Sequence, residues 1–122
     1  MKWQFSSDAP IYAQLIEQIQ RTIVSGGWPP GERLPSVRDL AGEAGVNPNT
    51  MQRAMTELER EGLVYSQRTA GRFVTEDRAR IEAARNQCAQ RQIQTFLDKM
   101  EQLGYSREEI LRLVEQEMKG ES

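Results

Sequence analysis

Residues 45–50 read GVNPNT, and they stop one helical pattern and start another within a single short turn. Glycine is common just past the end of a helix, while asparagine followed by proline is a favourable N-cap and first helical position. The sequence therefore predicts two helices joined by a tight turn, the second starting at Asn47 or Asn49 and closed by Gly62. The inward face of this second helix repeats at helical spacing and comprises Met51, Ala54, Met55 and Leu58.

The neighbouring segments give the order of the other elements. Apolar residues between 11 and 25 recur every three or four positions, which predicts a first helix, and a second follows Ser36, a candidate capping residue. Residues 63–76 change to strand-forming types around a polar turn, with Gly71 near its tip, which predicts a β-hairpin. Three helices followed by a hairpin are the order of a winged helix-turn-helix domain, here residues 1–76.

Residues 77–122 return to helical spacing. One long pattern ends at Gly104, and Ser106 with Glu109 forms a capping box in front of a closing helix. The predicted fold is therefore mainly α with a small β-hairpin. It consists of a winged helix-turn-helix domain followed by a C-terminal helical dimerisation hairpin.

The apolar residues of this tail are the reason to expect a dimer. Two short helices cannot bury so large an apolar set by themselves, and a second copy of the chain would cover it. The alternative is that the tail packs back on its own winged-helix domain. The predicted dimerisation residues are Ile93, Phe96, Leu97, Met100, Leu103, Ile110, Leu113 and Val114.

The composition excludes several classes of function. The chain of 122 residues contains no histidine and a single cysteine, Cys88, which excludes histidine-dependent catalytic triads and an internal disulfide framework. The usual ligands of transition metals are missing as well, so we expect no enzyme activity, no metal and no cofactor. No stretch reaches the roughly 18 apolar residues of a membrane span, and no signal-peptide pattern is present. We therefore expect a cytoplasmic protein with no membrane partner.

The polar residues of the second helix of the pair have the chemistry to read DNA. Asn49 and Gln52 carry amides that can pair with adenine, and Arg53 and Arg38 can reach guanine or phosphate. Arg53 has an alternative partner in Glu57, four residues further along the helix.

The hairpin is the second candidate for contact with DNA. The net charge is −2, so the chain as a whole is not attracted to nucleic acid and the local distribution of charge decides. Residues 62–75 contain Arg68 and Arg72 and no acidic residue. A cationic hairpin tip suits the DNA backbone or the minor groove.

Four pieces of the sequence occur in a specific order: PGERLPSVRDLA, GVNPNT, AMTELEREGLV and AGRFV. With them, residues 29–74 resemble the DNA-binding domain of the GntR family of bacterial transcription regulators. The short helical tail resembles the YtrA branch of that family. The resemblance implies a DNA-binding regulator, in the role of a repressor, in which these residues contact DNA: Arg38, Asn47, Asn49, Thr50, Gln52, Arg68, Thr69 and Gly71.

Many other branches carry arginine where Pro48 and Gln52 stand, so the operator sequence cannot be carried over from them. In a homodimer, two recognition helices would read an inverted repeat of double-stranded DNA with centres on the order of 34 Å apart. An unidentified small-molecule effector at the dimer interface is a further hypothesis from the resemblance. Two alternatives stay open: a winged-helix module that binds protein and no DNA, and an architectural protein that binds DNA without sequence preference.

Overall fold

The structure is a computed structural model that describes residues 1–120, and its contacts divide the chain into two units. The first unit comprises residues 1–85 and the second begins at Asn86. The predicted order of helices and hairpin is confirmed. The elements are α1 (Ile11–Val24), α2 (Val37–Ala44), α3 (Pro48–Arg60), β1 (Val64–Gln67), β2 (Gly71–Val74), α4 (Arg78–Gln102) and α5 (Arg107–Met118).

One apolar core holds the first unit together. Helix α3 packs against both α1 and α2, and β1 packs against α3 as well. The residues of α3 that recur at helical spacing are all buried, and full burial of such a side chain contributes roughly 1.5–3 kcal/mol. The opposite face of α3 is therefore left to solvent. The buried apolar residues of the three helices are Leu15, Ile19, Ile23, Leu40, Ala41, Met51, Ala54, Met55 and Leu58.

The hairpin is joined by a third strand segment that precedes α2. Arg33 forms an antiparallel bridge with Phe73, the Leu34 N–H donates to the Arg72 carbonyl at 2.9 Å, and the Val74 N–H donates to the Glu32 carbonyl at 2.9 Å. The sequence did not predict this strand, because its pairing is too short to show alternation. Its consequence is that the hairpin is anchored along one edge.

The irregular N-terminal segment is tied to α1 by two glutamine side chains. The Gln14 amide accepts from the Ser6 N–H and donates to the Ser6 carbonyl, both at 2.9 Å. Gln18 makes the same pair of hydrogen bonds with the backbone of Gln4, at 3.0 and 2.6 Å. This segment is therefore held along α1, although it contains no helix or strand.

In the second unit, α5 begins with the predicted capping box. The Ser106 hydroxyl accepts from the Glu109 N–H, and the Glu109 carboxylate accepts from the Ser106 N–H at 3.0 Å. The hydrogen bond from the Ser106 backbone is the main reason why the pKa of Glu109 lies below its usual range. The box satisfies two backbone groups that the start of a helix otherwise leaves without partners.

Helix α4 is the longest element, with 25 residues, and none of them is fully buried in the single chain. Within residues 1–120, neither α4 nor another helix is long and apolar enough to cross a membrane. Two large apolar side chains of α4, Ile93 and Phe96, face solvent instead.

Candidate nucleic-acid interface

The turn between α2 and α3 is built as the sequence predicts. Gly45 ends α2 in the left-handed region at φ 70°, where residues with a Cβ are strained. The Asn47 side chain caps α3 by accepting from the Asn49 N–H at 2.7 Å, and Pro48 occupies the first helical position. The first turn of α3 is thereby fixed, and Asn47, Pro48 and Asn49 are exposed.

The solvent face of α3 carries the predicted DNA-reading side chains. Asn49, Gln52 and Arg53 are exposed, while Thr50 is half-buried. The Gln52 amide nitrogen lies 3.4 Å from the Thr56 hydroxyl, which in turn donates to the Gln52 carbonyl at 2.9 Å. Amides at these positions can donate and accept, which is the chemistry needed at adenine edges in a major groove.

Arg53 does not pair with Glu57, so that alternative is wrong. Its guanidinium lies over the ring of Tyr12 in α1, with 4.5 Å between the guanidinium carbon and the ring centroid. Glu57 instead accepts two hydrogen bonds from Arg60, which are the main reason why the pKa of Glu57 lies below its usual range. Arg53 therefore has no carboxylate partner within residues 1–120, and it lies on the solvent face of α3.

Arg38 lies in the first turn of α2, next to the Ser36 cap. The Ser36 hydroxyl accepts from the Asp39 N–H at 3.0 Å, which fixes the start of the helix. Arg38 is exposed, and it forms no ion pair or hydrogen bond with any residue that the structure describes. Its guanidinium is therefore available for an anionic partner.

The wing is a two-stranded antiparallel hairpin with its turn at residues 68–70. Arg68, Thr69 and Gly71 are exposed, and Gly71 has φ 108°, a region that favours glycine. The tip is therefore accessible to a large partner, and its contact with a DNA backbone stays a prediction.

Arg72 is placed differently from the other predicted wing residues. It is half-buried, and its Nε lies 3.4 Å from the Glu59 carboxylate of α3. The Ser66 hydroxyl of the facing strand donates to the same carboxylate. Glu59 therefore ties both strands of the wing to α3, and Arg72 serves this contact in the free protein.

Together these residues define what we call the helix–wing surface: the exposed face of α3, flanked by Arg38 on α2 and by the wing turn. Both flanking elements belong to segments that pack directly against α3. The nearby carboxylates Glu57 and Glu59 are each paired with an arginine. A chain with a net charge of −2 thus presents a cationic and amide-rich surface here.

The model of the family described as "Bacterial regulatory proteins, gntR family" matches residues 11–74. This range contains all of the helix–wing surface. The chain belongs to the gntR family. The HTH-type transcriptional regulator YhcF of Bacillus subtilis is 38% identical over 88% of this gntR-family chain and 89% of its own length. The HTH-type transcriptional repressor YtrA of the same organism is 44% identical, over 58% of this chain and 55% of its own length.

Solved structures agree with this gntR-family assignment. A GntR family transcriptional regulator from Listeria monocytogenes is 39% identical, with a TM-score of 0.83 over 92% of this chain and 98% of its own. The DNA-binding domain of AraR in complex with operator ORX1 is 30% identical, with a TM-score of 0.56 over 62% of this chain and 96% of its own. The first match extends over nearly all of the chain, and the second over less than two thirds of it.

Two residues that organise the surface of this gntR-family chain were missed by sequence reasoning. Tyr12 lies under Arg53, and Glu59 holds Ser66 and Arg72. Both contacts join positions far apart in the chain, so no local pattern reports them. The only sequence signal was weak: Glu59 is an acidic residue on the helix that precedes a hairpin containing two arginines.

The predicted dimerisation residues lie in or next to α4 and α5 in the second unit, and all of them except Ile110 are exposed or half-buried. Phe96, Leu113, Val114 and Met118 line an apolar groove together with Glu117. Leu97, Met100 and Val114 are half-buried. The exposed apolar side chains, which keep 39–83% of their surface in solvent, are Ile93, Phe96, Leu103, Leu111, Leu113 and Met118.

Ile110 departs from the prediction for this surface. It is 2% exposed in the single chain, so it is already covered by its own chain and offers no area to a second copy. Ile110 lies in the first turn of α5, which follows the break at Gly104, where φ is 96°. We call the remaining exposed apolar set the tail surface.

Asn47 has a structural role and a proposed DNA-binding role, and one substitution separates them. Asn47→Asp keeps a side-chain oxygen that can accept from the Asn49 N–H, so we expect the melting temperature to change little. The new negative charge would repel a phosphate, so affinity for DNA should fall by about tenfold or more. Asn47→Ala should instead cost about 1 kcal/mol of stability.

Thermal unfolding followed by circular dichroism checks the first expectation, and fluorescence anisotropy with labelled duplex checks the second. Asn47→Ser serves as the control, because serine caps helices about as well as asparagine and adds no charge. If Asn47→Asp binds DNA as tightly as the wild type, Asn47 is a cap alone.

Proposed function

We propose that this chain is a sequence-specific transcriptional repressor that binds an inverted-repeat operator as a homodimer. The observation that carries the proposal is the division of α3 into a fully buried apolar face and an exposed face of amides and arginine. A helix built in this way, with its N-terminal turn exposed and a wing beside it, fits a major groove. Membership of the gntR family supports the same role.

The proposed DNA contacts divide into two chemical kinds. Asn49, Gln52 and Arg53 on α3 would contact base edges, because amides and guanidinium groups form paired hydrogen bonds with adenine and guanine. The other residues of the set would contact the sugar-phosphate backbone of DNA. Such contacts position the protein on the duplex without reading its sequence. These residues are Arg38, Asn47, Thr50, Arg68, Thr69 and Gly71, with Arg72 contributing only if its contact with Glu59 is released.

We propose the homodimer from the tail surface. Three of its exposed apolar side chains, Phe96, Leu113 and Met118, line one groove on α4 and α5, and a second copy would remove this area from water. The functional division that we propose is a DNA-binding part at residues 1–76 and a dimerising tail at residues 77–122. Such a protein acts without catalysis, in the cytoplasm, where its DNA is found. A small-molecule effector at the dimer interface would act by changing the spacing of the two recognition helices.

The decisive experiment is DNA selection followed by a binding measurement. Duplexes enriched by the purified full-length protein from a random pool should contain an inverted repeat with half-sites about one helical turn apart, or a multiple of it. Fluorescence anisotropy should then show binding to the selected duplex that is at least about 1,000-fold tighter than to a scrambled duplex of equal length.

Two other outcomes would assign a different function. Equal affinity for selected and scrambled duplexes would identify an architectural DNA-binding protein. The absence of binding to any duplex, over a range of salt concentrations, would favour a winged helix that contacts protein. A thermal-shift screen in which no small molecule stabilises the protein would argue against the effector.

A further inference from the structure

A further cation lies beside the wing, on the strand segment that extends it. Arg33 forms an antiparallel bridge with Phe73, and its neighbour Leu34 points into the core. Residues that face each other across antiparallel strands lie on the same face of a sheet. Arg33 therefore shares the outer face of the wing with Phe73 and with Tyr65, whose ring stacks on Phe73 at 5.6 Å between centroids.

The Arg33 side chain extends along this face toward the wing turn. A Cβ placed on Gly71 would lie 3.2 Å from Arg33 Nε and 3.6 Å from Nη2, so the guanidinium lies directly against Gly71. Gly71 comes immediately after the turn, whereas Phe73 lies further from it. The guanidinium thus lies next to the residue at the base of the exposed wing turn.

Arg33 and Arg72 lie on opposite faces of the same sheet and have opposite surroundings. Arg72 faces α3 and is paired with Glu59. Arg33 is exposed, and it forms no ion pair or side-chain hydrogen bond within the described residues 1–120. The backbone on either side of Arg33 is held by strand pairing, and its guanidinium has no carboxylate partner among these residues. Such a guanidinium is suited to bidentate contact with a phosphate.

We infer that Arg33 contacts a phosphate of the DNA beside the wing, from a position in which its guanidinium lies against Gly71. The inference rests on the proposed DNA-binding function and extends it by one residue that lies outside the wing hairpin. Arg72 is held by Glu59 and does not present its charge at the tip in the free protein. Arg33, on the third strand segment, would supply a cation there instead.

The test is Arg33→Gln in the full chain, measured with duplexes that the wild type selects from a random pool and with scrambled duplexes. Each phosphate contact contributes about 0.9 to the slope of log affinity against log salt concentration. The slope should therefore fall by about two in a dimer, with a loss of about tenfold or more in affinity. The loss should be similar on both duplexes, because a phosphate contact carries no sequence information.

Two further variants make the result specific. Arg33→Lys keeps the charge and should retain most of the salt slope. If the role of Arg33 were purely structural, Arg33→Lys and Arg33→Gln would not differ because of their charge. Arg21→Gln removes an exposed arginine in the last turn of α1 and should change neither affinity nor slope. Circular dichroism should show unchanged melting for all three variants.

The outcomes separate the inference from the proposed function. If the wild type is selective and Arg33→Gln has the same affinity and salt slope, Arg33 makes no phosphate contact and the inference fails alone. If the wild type binds both duplexes equally and Arg33→Gln still lowers the slope, the repressor proposal fails while the phosphate contact holds. If the wild type binds no duplex, both fail.

Discussion

Phe96→Glu is expected to convert the protein into a monomer and to weaken binding to an inverted-repeat duplex by about 100-fold or more. Phe96 is 42% exposed in the single chain and lines the apolar groove of the tail surface with Leu113 and Met118. A carboxylate there would be buried without a partner in a dimer, at a cost of several kcal/mol. In the monomer it would remain in water, so the fold should survive.

The loss of DNA affinity follows from the loss of the second half-site. Two linked recognition helices bind with an effective concentration that raises overall affinity by about 10²- to 10⁴-fold over one helix. Multi-angle light scattering should show twice the chain mass of 14.0 kDa for the wild type and a single chain mass for the variant. Anisotropy on a duplex with one half-site should show nearly equal affinity for the two proteins.

Gln92→Glu is the matched control for this substitution. It introduces the same charge on the same helix at an exposed polar position, so it should leave both the mass and the affinity unchanged. A Phe96→Glu protein that stays dimeric would place the interface elsewhere on the chain. A monomeric variant with unchanged affinity for the full inverted repeat would show that dimerisation is not needed for binding.

Arg38→Ala is expected to weaken binding to the selected duplex by about 10- to 100-fold while leaving the fold intact. Arg38 is exposed at the start of α2 and has no ion-pair partner in the described part of the chain. Its removal therefore costs little within the free protein, whereas one charge-assisted contact with DNA is lost from each subunit. Fluorescence anisotropy measures the affinity, and thermal unfolding monitors the fold.

The salt dependence tells which part of DNA Arg38 contacts. A phosphate contact predicts an equal loss on selected and scrambled duplexes and a lower salt slope, whereas a base contact predicts a loss on the selected duplex only. Arg21→Ala is the control, because it removes an exposed arginine from the same unit. Wild-type affinity in Arg38→Ala would remove this residue from the DNA-contacting set.

Local signals predicted most of the fold, because each rests on neighbouring residues. The cap at Asn47, the left-handed glycine at Gly45 and the box of Ser106 with Glu109 were all readable from types and spacing. The buried face of α3 followed from its periodicity. These features depend on residues that are close to one another in the chain, so the residue types and their spacing are enough to predict them.

Contacts between distant segments were not predictable in the same way. The sequence offered Glu57 as a partner for Arg53 because the two are one helical turn apart, but Tyr12 is the residue that lies under its guanidinium. Ile110 belongs to an apolar pattern that looks continuous in sequence, yet it is buried within its own chain. In each case several partners are possible along the chain, and only the packing selects one.

The sequence by itself determined the order of the helices and the wing, the sharp entry into the recognition helix and the family to which the chain is similar. The tertiary structure decided which cations stay unpaired on the helix–wing surface. Arg72 is held by Glu59 and Arg53 rests on Tyr12, while Arg33, beside this surface, lies against Gly71 and has no ion pair within residues 1–120. The physical reason is that a guanidinium can reach several neighbours, and its partner is set by strand pairing and helix packing between segments far apart in the chain.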